Sequence, residues 1–159
     1  SKGSDCAVAI ATMLADTHNA SLVLLHVSED PCQTKSIPAT QHAQTLTNEM
    51  HRLIRHEAER RLGELATNIS KKLVVERRVL VSSDPPFAIE SVAEEDDSDL
   101  LLLHATTAGS TGNLRLGSIN QSLIQYSHRA LFILQPSAGE GFLSQFRSIY
   151  LDESHVEAG

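Results

Sequence analysis

Few residues in this chain combine a type and a spacing that could do chemistry. They are a Gly117-Ser118 pair closing a small-residue loop, eight histidines, the acidic run Glu94-Glu95-Asp96-Asp97, and two cysteines. Gly117-Ser118 opens a helix, and the free N–H groups and dipole of a helix N-terminus can hold an anion. The same pair also serves as a tight loop-to-helix entry with Ser118 helping to cap it. His104 follows an apolar strand and precedes the loop, where an imidazole either functions or simply packs. His51 and His56 lie five apart, off the i, i+4 spacing that sets two ligands on one helix face. His56-Glu57-Ala58-Glu59-Arg60 is not H-E-x-x-H, so these read as surface histidines and no metal site is expected. No G-x-S-x-G elbow surrounds Ser118, and no catalytic residue is assigned. The acidic run reads as a solvated helix end. Cys6 and Cys32 lack a C-x-x-C spacing, and nothing in their surroundings activates either thiol.

Such groups need a scaffold, and the periodicity alternates helix with strand. Ser4 or Asp5 can cap a first helix running to about His18, with Asn19 as its stop. Cys6 to Leu14 within it superficially resembles a signal-peptide core. The flanking Asp5 and Asp16, and a length far short of the ~20 residues that span a bilayer, favour a buried helix. Ser21-Leu-Val-Leu-Leu-His-Val27 is a continuous apolar run, the pattern of a strand covered on both faces. A loop from Ser28 to about Gln41 leads into a long helix with Leu46, Met50, Leu53, Leu62, Leu65 and Ile69 along one side. Leu73 to Val81 reads as a strand, and Asp84-Pro85-Pro86 starts a helix through Glu95. Asp99-Leu-Leu-Leu-Leu103 is a second buried strand. After the loop Ala105–Leu116, a helix from Gly117-Ser118 runs to about His128, and Ala130-Leu-Phe-Ile-Leu134 is the next strand. Residues 135–145, with Pro136, Gly139 and Gly141, read as a linker. Phe146-Arg-Ser-Ile-Tyr-Leu151 reads as one more strand, ending at Asp152. This alternation predicts an α/β fold with a doubly wound parallel sheet, which binds ligands at the loops after its strands.

The 159 residues and 17.3 kDa bound the chain to about one domain. Apolar residues at 41% and charged residues at 21% match a globular protein, not a disordered one. Lys plus Arg is 13 against 20 Asp plus Glu, a net charge of -7 that argues against a phosphate-coating nucleic-acid binder. Four Phe, two Tyr and no Trp leave little for base stacking. Two cysteines cannot build a disulfide framework, so a reducing, cytoplasmic setting is expected.

Four segments, in this order and spacing, resemble the universal stress protein family. They are Ser21-Leu-Val-Leu-Leu-His-Val27, Asp84-Pro85 with Ile89 four residues after the proline, Asp99-Leu-Leu-Leu-Leu103, and Leu116-Gly-Ser-Ile-Asn120 through to Leu134. The resemblance covers nearly the whole chain. It implies a flavodoxin-like, doubly wound parallel sheet of five strands with helices on both faces. ATP-binding members carry G-x2-G-x9-G-[S/T] after the fourth strand. With nine residues between, the position before Gly117 is Thr107, and with two more between, the first position is His104, so the loop length is kept and both leading glycines are replaced. Those glycines let backbone N–H groups approach phosphate and ribose without a Cβ in the way. His104 instead puts an imidazole where the nucleotide should lie, and Gly109 and Gly112 sit out of register. The family's first strand ends D-G-S, and its aspartate helps hold the adenine-nucleotide end. Asp152-Glu153-Ser154 resembles that motif, with a glutamate whose extra negative charge does not help a triphosphate. Val27 matches the position whose backbone meets adenine. Carried over, the nucleotide or anion site comprises Asp152, Val27, Leu103, Gly117, Ser118 and Ile119, with His104 and Thr107 at the substituted positions.

The order of segments is unusual for this family. Ser1-Lys-Gly-Ser resembles what normally follows the D-G-S aspartate, while the look-alike of the first strand appears only at the end. The expected organisation is a domain over 1–134 lacking its usual first strand, a linker over 135–145, and a first-strand equivalent in 146–159. The chain is then cut from a tandem protein, or permuted so that 146–151 fills the central position, or detached from a larger chain such as a transporter. The resemblance implies two functions. One is a non-enzymatic regulatory or interaction module, with weak or no ATP binding, paired as a homodimer or tandem through Ala130–Leu134 or by exchange of 146–152. The other is an adenine-nucleotide sensor that binds ATP or AMP with magnesium and has slow ATPase activity. Neither a nucleic-acid partner nor membrane insertion is expected.

Overall fold

The computed structural model describes residues 2–31, 41–105 and 117–134, and residues 141, 144, 145 and 148 singly. Helices and strands alternate: α1 (Lys2–His18), β1 (Leu22–Glu29), α2 (Gln41–Thr67), β2 (Val75–Ser82), α3 (Pro85–Glu95), β3 (Leu100–His104), α4 (Ser118–Tyr126) and β4 (Ala130–Leu134). They fall into two compact units, one of residues 1–21, 69–73 and 99–159, the other of 22–68 and 74–98. No helix among the described residues is long and apolar enough to cross a membrane.

The first unit is built on α1. The helix starts at Lys2, so Ser4 and Asp5 lie inside its first turn instead of capping it, and Asp5 there complements the helix dipole. It stops where expected, at Asn19, whose positive φ of 51 is the left-handed conformation asparagine tolerates. The Ala20 N–H then donates to the Ala15 carbonyl at 2.9 Å. Cys6 and Ile10, one turn apart, form a buried cluster with Leu134, and Met13, Leu14, Leu102 and Phe132 pack around it. Burial pushes the Cys6 thiol above its ordinary pKa, so it stays protonated and unreactive. β3 and β4 pair in parallel from Leu100↔Ala130 to His104↔Leu134.

The second unit is a βαβ element plus one helix. β1 and β2 pair in parallel from Leu22↔Val75 to Glu29↔Ser82, joined by α2. β1 runs two residues beyond the apolar run, through Ser28 and Glu29, because the ladder to β2 continues there. α2 packs on both strands, burying Ala58 and Leu62. The apolar stripe expected along it is only partly used: Leu46, Met50 and Leu53 in its first half are 55%, 45% and 54% exposed. α3 begins as read, with Asp84 as N-cap accepting from the Phe87 N–H at 3.2 Å and prolines in the first turn.

The acidic run after α3 is more than a solvated end. Glu94, Glu95 and Asp97 are exposed, but Asp96 is largely buried and bonded to Arg78 on β2. The same guanidinium holds Glu76 at 2.7 Å and Glu95 at 3.2 Å, which ties the end of α3 to the strand.

The described residues therefore contain four strands in two parallel pairs, where five strands were expected. The linker 135–145 and the strand 146–151 lie largely outside the described residues. Where they are described, Gly141, Ser144, Gln145 and Ser148 are helical, so the backbone at Ser148 is not extended. A strand needs a neighbour to take its N–H and C=O groups, whereas a helix satisfies them within itself.

Candidate functional site

β3 and α4 bring most of the predicted residues together in the first unit. Leu103 and His104 end the strand, and the Ala105 N–H extends the ladder by donating to the Leu134 carbonyl at 2.8 Å. Ala105 is fully buried, which fixes the point where the loop departs. α4 enters at Gly117, with φ -57 and ψ 157. That φ is open to any residue, so the turn itself does not demand glycine. Leu123, 1% exposed, anchors the helix.

The helix start resolves one of the two readings of Gly117-Ser118. Gly117 is the N-cap and no side chain among the described residues caps the helix, so Ser118, the first helical residue, does not perform that task. The N–H groups of the first turn, at Ser118, Ile119 and Asn120, have no intrahelical partner. Of this turn Ser118 is exposed, Gly117 and Ile119 are half-buried and Asn120 is buried. Chemically this is an anion-accepting helix end.

Asn120 is the member that sequence reasoning misses. It is buried, and its Nδ2 donates to the His104 carbonyl in a long 3.4 Å hydrogen bond. The bond ties the first turn of α4 to the end of β3, across the loop that carries the motif. The available signal was a polar side chain in the first turn of a helix entered at glycine.

Val27 is half-buried on β1, paired with Leu80, in the second unit. Thr107, Asp152, Gly109 and Gly112 lie outside the described residues. Of the histidines expected at the surface, His56 is exposed, but His51 is half-buried and bonded to Asp30 at 3.0 Å.

Parallel β-α-β units are what the sequence reading expected of this fold. The sequence pattern of the universal stress protein family matches residues 1–134. The chain belongs to the universal stress protein family. Solved structures agree on the fold. The universal stress protein from Archaeoglobus fulgidus is 18% identical, with a TM-score of 0.59 over 84% of this chain and 90% of that one. UspA from Lactobacillus plantarum is 20% identical, with a TM-score of 0.61 over 84% of this chain and 90% of that one. A universal stress family protein from Burkholderia pseudomallei is 17% identical, with a TM-score of 0.62 over 84% and 88%. No curated protein matches the sequence. In this universal stress protein Gly117 is the N-cap of α4 and Ser118 its first residue.

Proposed function

We propose that this universal stress protein is a non-enzymatic regulatory or interaction module of the stress response, acting in the cytoplasm with weak or no ATP binding. The observation that carries the reading is His104. It stands at the end of β3, half-buried, at the first position of the family's glycine motif. Its carbonyl accepts from Asn120, which ties the backbone there to the first turn of α4. A glycine at this position would leave that space to a nucleotide.

The second reading, an adenine-nucleotide sensor with slow ATPase activity, is favoured by the uncapped first turn of α4. In it Gly117, Ser118 and Ile119 take the phosphates of ATP or AMP with magnesium, and Val27, Leu103 and Asp152 take the nucleoside end. Equilibrium titration with ATP, ADP and AMP in the presence of Mg²⁺ separates the two. The module reading expects no saturation below about 1 mM, a binding energy of about -4 kcal/mol. Saturable submillimolar binding that Gly117→Val abolishes overturns it.

The module pairs with a second copy or a tandem domain through Ala130–Leu134. β4 ends the strand order of its sheet and is apolar along its length, which suits addition of another strand. A native mass measurement on the chain is expected to read twice 17.3 kDa. A monomer at micromolar concentration excludes pairing with a second copy.

The chain is organised as a domain over 1–134, a linker over 135–145 and a first-strand equivalent within 146–159. Residues 146–152 supply the sheet's central strand, within one chain or by exchange between two. The support is the sequence likeness of 146–152 to the family's first strand, together with only one pairing per strand among the described residues. The helical backbone at Ser148 requires this segment to become extended when it pairs.

A further inference from the structure

On the face of β1 that meets α2 lies an open cleft of about 380 Å³ that no function above uses. β1 lines it with His26 and Ser28, and α2 lines it with the apolar Leu53, Ile54 and Ala58 and the charged Glu57 and Arg61. His26 and Ser28 are two apart on the strand and so share a face, while Val27 between them points the other way. All of these residues lie within the second unit, and none belongs to the candidate nucleotide set.

We infer that this cleft binds a small monocarboxylate with a short apolar chain, its carboxylate on Arg61 and Ser28 and its chain against Leu53, Ile54 and Ala58. The charge arrangement supports an anion. The one carboxylate in the lining is Glu57, and Arg60 holds both of its oxygens, at 2.8 and 3.0 Å. Arg61 reaches Glu57 only through Nε, at 3.4 Å, and its two terminal nitrogens have no partner among the described residues. A guanidinium with two free parallel donors matches a planar carboxylate.

The hydroxyl completes the site. His26 Nε2 and Ser28 Oγ are 3.0 Å apart. Burial, and then the Arg61 charge, hold the His26 pKa below its ordinary value, so the ring is neutral near pH 7. With Nε2–H donating to Ser28 Oγ, the Ser28 O–H is free to donate to the anion. One guanidinium and one hydroxyl suit a single negative charge better than a phosphate dianion. The volume is at the small end of ligand clefts, which fits a chain of a few carbons.

The test is a titration of the isotope-labelled chain with hexanoate, hexanol and hexylammonium, followed by amide chemical shifts. Saturable shifts centred on Ser28, Ala58 and Arg61 are expected for hexanoate alone. Arg61→Gln is expected to weaken hexanoate by about tenfold, while Arg55→Gln, on the exposed surface of the same helix, leaves it unchanged. Arg61 is 64% exposed, so the variant should fold, and an unchanged thermal transition verifies this. Absence of saturation, equal binding of hexylammonium or hexanol, or unchanged affinity in Arg61→Gln each overturns the inference. The outcome is independent of the nucleotide titration, which probes other residues.

Discussion

Ile10→Ala is expected to lower the unfolding free energy by about 2–5 kcal/mol, the range for removing a buried aliphatic side chain and leaving a cavity. Ile10 is 0% exposed and lies at the centre of the cluster formed with Cys6 and Leu134. The neighbours come from separate stretches of chain, α1 on one side and β3 and β4 on the other, so they are poorly able to close together over the space. A domain of this size has only about 5–15 kcal/mol of stability, so the loss would remove a large fraction of it. Urea unfolding followed by far-UV circular dichroism would show a lower midpoint at an unchanged slope. A shift below about 1 kcal/mol, the level of an ordinary surface substitution, would show that this cluster is not the core of the unit. Ile10→Val, which removes a single methylene, should cost about 0.5–1.5 kcal/mol and serves as the graded control.

Ending the chain at Gln145 is expected to have a still larger effect. If 146–152 supplies the central strand, its removal leaves parallel strands with unsatisfied backbone groups and an apolar edge. A newly exposed apolar edge is a template for pairing with another chain and so for aggregation. The shortened chain should lose its cooperative unfolding transition and elute as aggregate in size-exclusion chromatography. A shortened chain that stays folded and monodisperse would sink the strand assignment and leave the helical conformation at Ser148 as the segment's native state. The result does not touch the nucleotide question, since Gly117, Ser118 and His104 are all retained.

Much of the scaffold was legible because short-range chemistry dictates it. Asp84 followed by two prolines marks the start of α3 without knowledge of anything distant, since the cap bond to Phe87 is local. Asn19 ends α1 for a similarly local reason, its tolerance of positive φ. Continuous apolar runs located β1, β3 and β4, and only the ends moved. β1 extends to Glu29 because its ladder with β2 does, and ladder length depends on the partner strand.

The misreadings share a cause. Leu46, Met50 and Leu53 have helical spacing, and spacing alone does not say how far along a helix its neighbour reaches. Asp96 looks like one charge among four until Arg78, 18 residues earlier, is seen to bind it. Asn120 was quoted within a motif, but its bond to the His104 carbonyl crosses a loop of unpredictable path. Arg61 carries no signal in the sequence, and only packing of α2 against β1 sets it beside His26 and Ser28.

By itself, then, the sequence determined the family and the types and order of the helices and strands from α1 to β4. These follow from side-chain type, from periodicity and from spacing along the chain. The tertiary structure decided which donors stay free at the start of α4, which carboxylates are already neutralised and which face of β1 opens to a ligand. Those are properties of groups distant in sequence, and whether a donor is satisfied or a charge compensated depends on what packing places within a few ångströms of it.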